Sequence, residues 1–300
     1  PGPAEELGPR LRAIAEAAEA AGFASISVMD HFRQIAMFGP QWEPMLESYT
    51  TLAYLAGVTE RVQLGTLVTG ITYRNVAHLG KIVATLDVLS GGRAFCGLGL
   101  AWNADEHAAY GWTFPPTDER YALLEDALDF LPLLWGKGAP AYKGRVIDVP
   151  EALCYPRPLQ EHVPILVGGA GERRTLRLVA QYADACNIIG DVDTVMHKAA
   201  VLRAHCAAIG RDPATVEVTQ LATTLVGRDA TELAALVERL RPPRQSADRY
   251  AASVNAGTVT DQIGRYRALA DAGVATVMTA FPDLDEGAIE RFAPVIAAFS

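Results

Sequence analysis

The run LGTLVTGITYRNVAHLGKIVATLDVLSGGRAFCGLGLAWNADEHAAYG, Leu64 to Gly111, restricts the fold more than any other stretch of the chain. Val62 to Val68 is an apolar run of strand length, Val76 to Leu89 places apolar residues at helical spacing, and Arg93 to Leu98 is apolar again. A helix and no tight hairpin separates the two strands, so they lie parallel. In barrels built from such units the loops that leave the strands share one rim, and the chemistry sits there. Thr66 to Tyr73 and Gly99 to His107 are therefore expected at a common mouth.

The same alternation extends in both directions. Glu5 to Ala21 reads as a helix stopped by Gly22, and Ala24 to Met29 as a buried strand ending in Asp30-His31. A helix is expected from about Pro44 to Ala56, with Pro44 in the first turn. Beyond the central unit, Thr117 is expected to cap a helix whose Tyr121, Leu124, Leu128, Leu131 and Trp135 form one stripe. Residues 136–158 break the pattern with Gly and Pro and read as an insertion carrying a small hairpin. Strands follow at Val163–Val167, Ala185–Ile189, Val216–Val226 and Val274–Thr279, and helices at Glu172–Tyr182, Val192–Ile209, Thr231–Leu240, Val259–Ala272 and Glu286–Phe299. Arg241 to Ala256 is polar and reads as a surface loop of low intrinsic order. Seven strands, each followed by helix, fit an α/β (β/α)8 TIM barrel whose opening strand is absent from this sequence. A doubly wound open sheet fits less well, because its glycine-rich turn would follow the first strand and here it lies mid-chain.

At 300 residues, half of them apolar, the chain can bury one large core, and a single domain over 1–300 is expected. The net charge of −9 is spread along the sequence and argues against a nucleic-acid surface or a polybasic membrane patch. Any anionic ligand must be held by local groups. Cys96, Cys154, Cys186 and Cys206 are far apart with no C-x-x-C spacing, and three of them sit in apolar or helical settings where a reduced thiol packs as a small hydrophobe. No apolar run reaches the roughly 18–20 residues of a membrane span, and there is no signal pattern, so a cytoplasmic protein is expected.

Three strand ends carry groups capable of chemistry. His31 closes the first strand, where a side chain with an ordinary pKa near about 6.5 can take or give a proton. A loop histidine that merely bonds a backbone carbonyl is the plain alternative. Gly168-Gly169-Ala170-Gly171 joins a strand to a helix and aims backbone N–H groups at an approaching anion, with Arg173 or Arg174 adding charge. Trp102-Asn103 follows the Gly97-Leu98-Gly99 strand end and offers a flat indole and an amide; a capped helix start with Trp102 packed beneath is the plain reading. Glu106 and His107 are adjacent, without the i, i+4 partner that a metal site needs, so no metal is expected. Serine nucleophile motifs are absent, and no strand end carries a Schiff-base lysine.

Taken together, Val28–Phe32, Leu64–Gly70, Tyr73–Asn75, Thr85–Arg93, Gly97–Trp102 and Gly168–Arg174 resemble the luciferase-like monooxygenase superfamily, most closely its actinobacterial branch of coenzyme F420-dependent oxidoreductases. The resemblance runs from about residue 5 to the final helix. It implies a tricyclic ring standing in the mouth, flanked by Asp30 and by His31 as proton donor or acceptor. It also implies a bulge of Thr66, Leu67 and Val68 against one ring face, with a cis peptide between Leu67 and Val68. Leu100, Ala101, Trp102 and Asn103 match positions beside the ring, and Gly168, Gly169, Ala170, Gly171 and Arg173 match the phosphate turn. Sugar-phosphate dehydrogenases of this superfamily carry a carboxylate where Trp102 stands, and a tryptophan shortly after the histidine where this chain has Phe32-Arg33-Gln34-Ile35, so their substrate does not transfer.

The expected function is hydride transfer between F420 and a small organic substrate. An FMN-dependent monooxygenase supplied by a separate reductase, and a catalytically silent flavin-binding paralogue, are the alternatives. A homodimer is expected from the resemblance alone.

Overall fold

The computed structural model describes residues 3–36 and 38–299; the expected domain limits at 1 and 300, and any opening strand, lie outside them. In chain order the first half comprises α1 (Ala4–Ala21), β1 (Ser25–Val28), α2 (Ser48–Ala56), β2 (Gln63–Thr66), β3 (Thr69–Gly70), α3 (Val76–Ser90), β4 (Cys96–Gly99), α4 (Ala104–Ala109) and α5 (Thr117–Trp135). The hairpin β5 (Tyr142–Lys143) and β6 (Asp148–Val149) follows, and then β7 (Ile165–Gly168), α6 (Thr175–Tyr182), β8 (Ala185–Ile189), α7 (Val192–Ala208) and β9 (Glu217–Thr223). The chain ends with β10 (Val226–Gly227), α8 (Ala230–Leu240), α9 (Ala247–Ser253), β11 (Gly257–Thr258), α10 (Val259–Asp271), β12 (Thr276–Ala280) and α11 (Glu286–Ala297).

The strands take their places in sequence order. β1 pairs with β2, a bridge from Leu64 to Ala94 links β2 to the approach of β4, and β3, β4, β7, β8, β9 and β12 continue the wall, every pair parallel. This is the (β/α)8 arrangement, with β1 and β12 as edges that do not pair with each other among the described residues. Both are half-buried along their length, whereas the inner strand β4 is buried throughout. Apolar helix faces close over the outside: Leu79 and Val83 of α3, Leu124, Leu128 and Leu131 of α5 and Val195 of α7 are all buried in one core. Among the described residues no helix is long and apolar enough to cross a membrane.

Local chemistry explains where several boundaries fall. α3 starts where the Asn75 side chain accepts the Ala77 and His78 N–H groups, and it stops at Gly91, whose φ of 72° is left-handed. α2 begins at Ser48 and not at Pro44, because the Glu47 carboxylate accepts the Thr50 N–H and caps it there. Thr117 is the first residue of α5 and not its cap; its hydroxyl accepts from Arg120 instead. α6 starts at Thr175, three residues later than expected, which lengthens the glycine turn before it. The expected insertion hairpin is present, its turn held by the buried Asp126 carboxylate, which accepts the N–H groups of Arg145, Val146 and Ile147 at 2.6–3.1 Å.

The polar piece 241–256 is the clearest correction. It contains α9, capped by Ser246, and its Tyr250 and Val254 are buried with Leu225, Leu236 and Val237 in a second, smaller apolar cluster. Two apolar residues at i, i+4 spacing outweigh the polar composition around them.

Candidate active site

The rim where the strands end brings His31, the 66–70 bulge, the 99–107 loop and the 168–174 turn to one side of the wall. Three glycines show how tightly the bulge is fitted. The peptide between Leu67 and Val68 is cis, and the Val68 side chain projects between strands. A Cβ on Gly99 would lie 2.7 Å from Val68 Cγ2, one on Gly168 2.8 Å from the same atom, and one on Gly97 1.9 Å from the Thr66 carbonyl oxygen. β4 and β7 therefore end in glycine because Val68 occupies the space a side chain would need. Behind the bulge Tyr49 Oη meets Thr69 Oγ1 at 2.7 Å, and Thr66 Oγ1 meets Thr69 Oγ1 at 2.9 Å. Leu67 donates its N–H to the Val28 carbonyl, which ties the bulge to β1.

His31 stands at the end of β1 with Nδ1 2.8 Å from Glu106 Oε2. Glu106 is completely buried and also accepts from Tyr73 Oη (2.5 Å) and from the Phe32 N–H (2.8 Å). Burial alone would raise its carboxyl, but the bonds from His31, Tyr73 and Phe32 prevail and hold it at about 2. Burial and the neighbouring Glu106 push the Tyr73 phenol up, so Tyr73 remains a donor. An ionised Glu106 is acceptor-only, so a neutral His31 facing it carries its proton on Nδ1 and leaves Nε2 as the acceptor nitrogen. Glu106 is a buried partner of His31 that the sequence does not mark as one. In sequence it reads as a first-turn acid beside His107, and its place at the third position after the capping Asn103 turns it inward.

Asp30 is buried and takes both terminal nitrogens of Arg74, at 2.5 and 3.0 Å, together with the Ser48 hydroxyl; Arg74 reaches on to Glu47 at 2.6 Å. The guanidinium also lies over the Tyr49 and Phe32 rings. The Asp30 carboxylate is thus engaged in fixing the loop that carries His31.

Leu100 and Ala101 form a loop whose carbonyls both accept from Arg120, at 3.1 and 2.6 Å, and Ala101 has φ 58°. Trp102 follows with its ring 5.4 Å from that of His31 and is 62% exposed, so it does not pack beneath α4 as the plain reading had it. Asn103 does cap α4, accepting the Glu106 N–H at 3.1 Å. His107 braces the layer below, stacked on Tyr73 and bonded to the Asn103 carbonyl and to Thr72.

Gly168 to Arg173 leave β7 as an exposed turn, with Gly169 at φ 113°. Gly169 donates to the Asn187 carbonyl and Leu176 to the Gly171 carbonyl. Among the described residues the N–H groups between them, of 170–175, have no acceptor in the chain. Arg174 is spent on Asp118 and Tyr121, and Glu172 on Lys198 and His197, whereas Arg173 has no counter-ion among the described residues. The turn therefore presents free donors and one free cation.

Comparison with known proteins agrees with the fold. A family model described as luciferase-like monooxygenase matches residues 3–292. An uncharacterised protein of Mycobacterium tuberculosis (strain H37Rv) is 31% identical over 215 residues, which cover 65% of this chain and 75% of that protein. An F420-dependent glucose-6-phosphate dehydrogenase of Kineococcus radiotolerans is 35% identical over 173 residues, 56% of this chain and 49% of that enzyme. Among solved structures, an F420-dependent secondary alcohol dehydrogenase in complex with an F420-acetone adduct superposes with a TM-score of 0.83 over 98% of this chain and 96% of that one. Its identity of 20% speaks for the fold.

Proposed function

The chain belongs to the luciferase-like monooxygenase family, and from that premise we propose that it moves a hydride between coenzyme F420 and a small organic substrate, with His31 handling the accompanying proton. The observation that carries this reading is the His31–Glu106 pair, which fixes the protonated nitrogen of His31 and leaves Nε2 to work at the barrel mouth. When bound, the deazaflavin would supply the two-electron hydride donor or acceptor that no side chain can.

The residues present fit such a group. The glycines of β4 and β7 let the Val68 side chain seat between those strands, and a flat ring would stand against the bulge of Thr66, Leu67 and Val68 that this packing holds in place. Leu100, Ala101 and Trp102 border it, and the Asp30 and Asn103 side chains hold the two loops on which His31 and Trp102 stand. In the turn Gly168, Gly169, Ala170, Gly171 the two leading glycines shape the backbone, and the free N–H groups of Ala170 and Gly171, with Arg173, would hold the coenzyme phosphate. Residues 1–300 are taken as one barrel domain that acts on a diffusible substrate.

The test is a fluorescence titration of F420, competed with FMN, on the wild type and on His31→Ala. Saturable F420 binding that FMN displaces poorly is expected, with binding retained and turnover of an accepted substrate down by about 100-fold or more in the variant. Absence of saturable binding, or preferential binding of FMN, would overturn the F420 assignment.

A further inference from the structure

Resting on that function, we propose that the substrate is a small, uncharged alcohol or carbonyl compound with apolar substituents, and not a phosphorylated or carboxylated one. Two independent features point there: the wall facing the mouth from β8, β9 and β12, and the charge balance around His31.

Gly168, Asn187, Thr219 and Thr276 are in register across four strands and so share one face of the sheet. Gly168 turns that face toward Val68, which makes it the barrel interior. Asn187 confirms the layer by donating to Thr219 Oγ1 at 2.8 Å and lying 3.9 Å from Met278 Sδ. Two residues further toward the rim the same face carries Ile189, Leu221 and Met278, all aliphatic or thioether. Ile189 is 73% exposed at the end of β8. The exposed Trp102 indole beside His31 adds to this apolar lining. Large apolar side chains held open at a mouth bind apolar surface.

The charges beneath His31 discriminate in the same direction. Glu106, Asp30 and Glu47 supply three carboxylates, and Arg74, the one guanidinium in contact with them, is shared between Asp30 and Glu47. A substrate anion placed next to His31 would face this excess of negative charge in a poorly solvated corner. An uncharged hydroxyl or carbonyl oxygen needs only the Nε2 of His31. In the oxidative direction the carbinol C–H bond would break with its electron pair, and a bound deazaflavin would supply the hydride acceptor. The O–H bond breaks with its proton going to His31, and the C=O double bond forms.

The experiment uses the F420-loaded protein. Ligand-observed NMR compares binding of cyclohexanone and glucose 6-phosphate, and steady-state F420 reduction compares 2-butanol, cyclohexanol and glucose 6-phosphate. Binding of the ketone with no detectable binding of the sugar phosphate is expected, with kcat/KM at least about 100-fold higher for the apolar alcohols. Ile189→Lys should cut that preference by about 10-fold or more by weakening the alcohols and admitting the anion. A protein that does not bind F420 overturns the reading of function and this inference with it. A protein that binds F420 but shows no preference for the uncharged compounds overturns the substrate class alone.

Discussion

Glu106 Oε2 lies 2.8 Å from His31 Nδ1, seventy-five residues away in sequence, and no solvent reaches the carboxylate. The pair fixes ring orientation and tautomer at once. Glu106→Gln keeps the shape but presents an amide, which removes the charge that favours a proton on Nδ1. Turnover is expected to fall about 10- to 100-fold while F420 affinity stays nearly unchanged. Single-turnover kinetics beside a binding titration separates the two, and an equal loss in both would mean that Glu106 merely holds the fold.

The same carboxyl makes stability depend on pH in a definite direction. Its folded pKa, about 2, lies below its ordinary 4.5, so the stabilisation it gives is complete above 4.5 and is lost as pH falls through that interval. The wild-type urea midpoint should therefore drop more steeply than that of Glu106→Gln between about pH 5 and pH 3. Glu47 and Glu232 are also depressed, but they contribute to both proteins alike and cancel in the difference.

Val68 and the glycines of β4 and β7 form a second testable relationship. Gly168→Ala brings a methyl to 2.8 Å from Val68 Cγ2, an overlap that either displaces the bulge or strains β7. A loss of about 1–3 kcal/mol in stability is expected, with weakened F420 binding. Val68→Ala in the same chain should restore part of the stability, and the double-mutant cycle measures the coupling. Purely additive effects would refute the steric account.

The barrel was legible because its signal is repeated: apolar strand-length runs alternate with helical spacing, and Ala185–Ile189 was placed to the residue. The histidine at the end of β1 and the glycine turn were legible for the same reason, since strand ends in such a wall share a rim. What could not be read depends on distant partners. Glu106 acquires its role from His31, Tyr73 and Phe32, and Asp30 is claimed by Arg74 from forty-four residues away. α9 was missed because its two burying residues, Tyr250 and Val254, are outnumbered by polar neighbours, and the cluster that receives them is assembled from α8 and from Leu225 in the link between β9 and β10. The helix start at Ser48 was misplaced by a few residues because the Glu47 side chain folds back to cap it there, which composition does not show, and α6 starts at Thr175 with no side-chain cap to mark it.

Arg74 offers the sharpest test of how the His31 loop is held. Its guanidinium is nearly buried, forks onto both oxygens of Asp30 and extends to Glu47, while two aromatic rings cover it. Arg74→Met would leave Asp30, itself 2% exposed, with only the Ser48 hydroxyl. Stranding a buried charge typically costs about 3–5 kcal/mol, and chemical denaturation should show a loss of that order. Arg74→Lys keeps the charge but cannot fork onto two oxygens and reach Glu47 together, so an intermediate loss is expected. Asp30→Asn combined with Arg74→Met removes both charges and should cost clearly less than the two single changes added together. Because His31 directly follows Asp30, turnover should fall in the order wild type, Arg74→Lys, Arg74→Met. If activity survived Arg74→Met while stability fell, the network would support the fold alone and not the placement of His31.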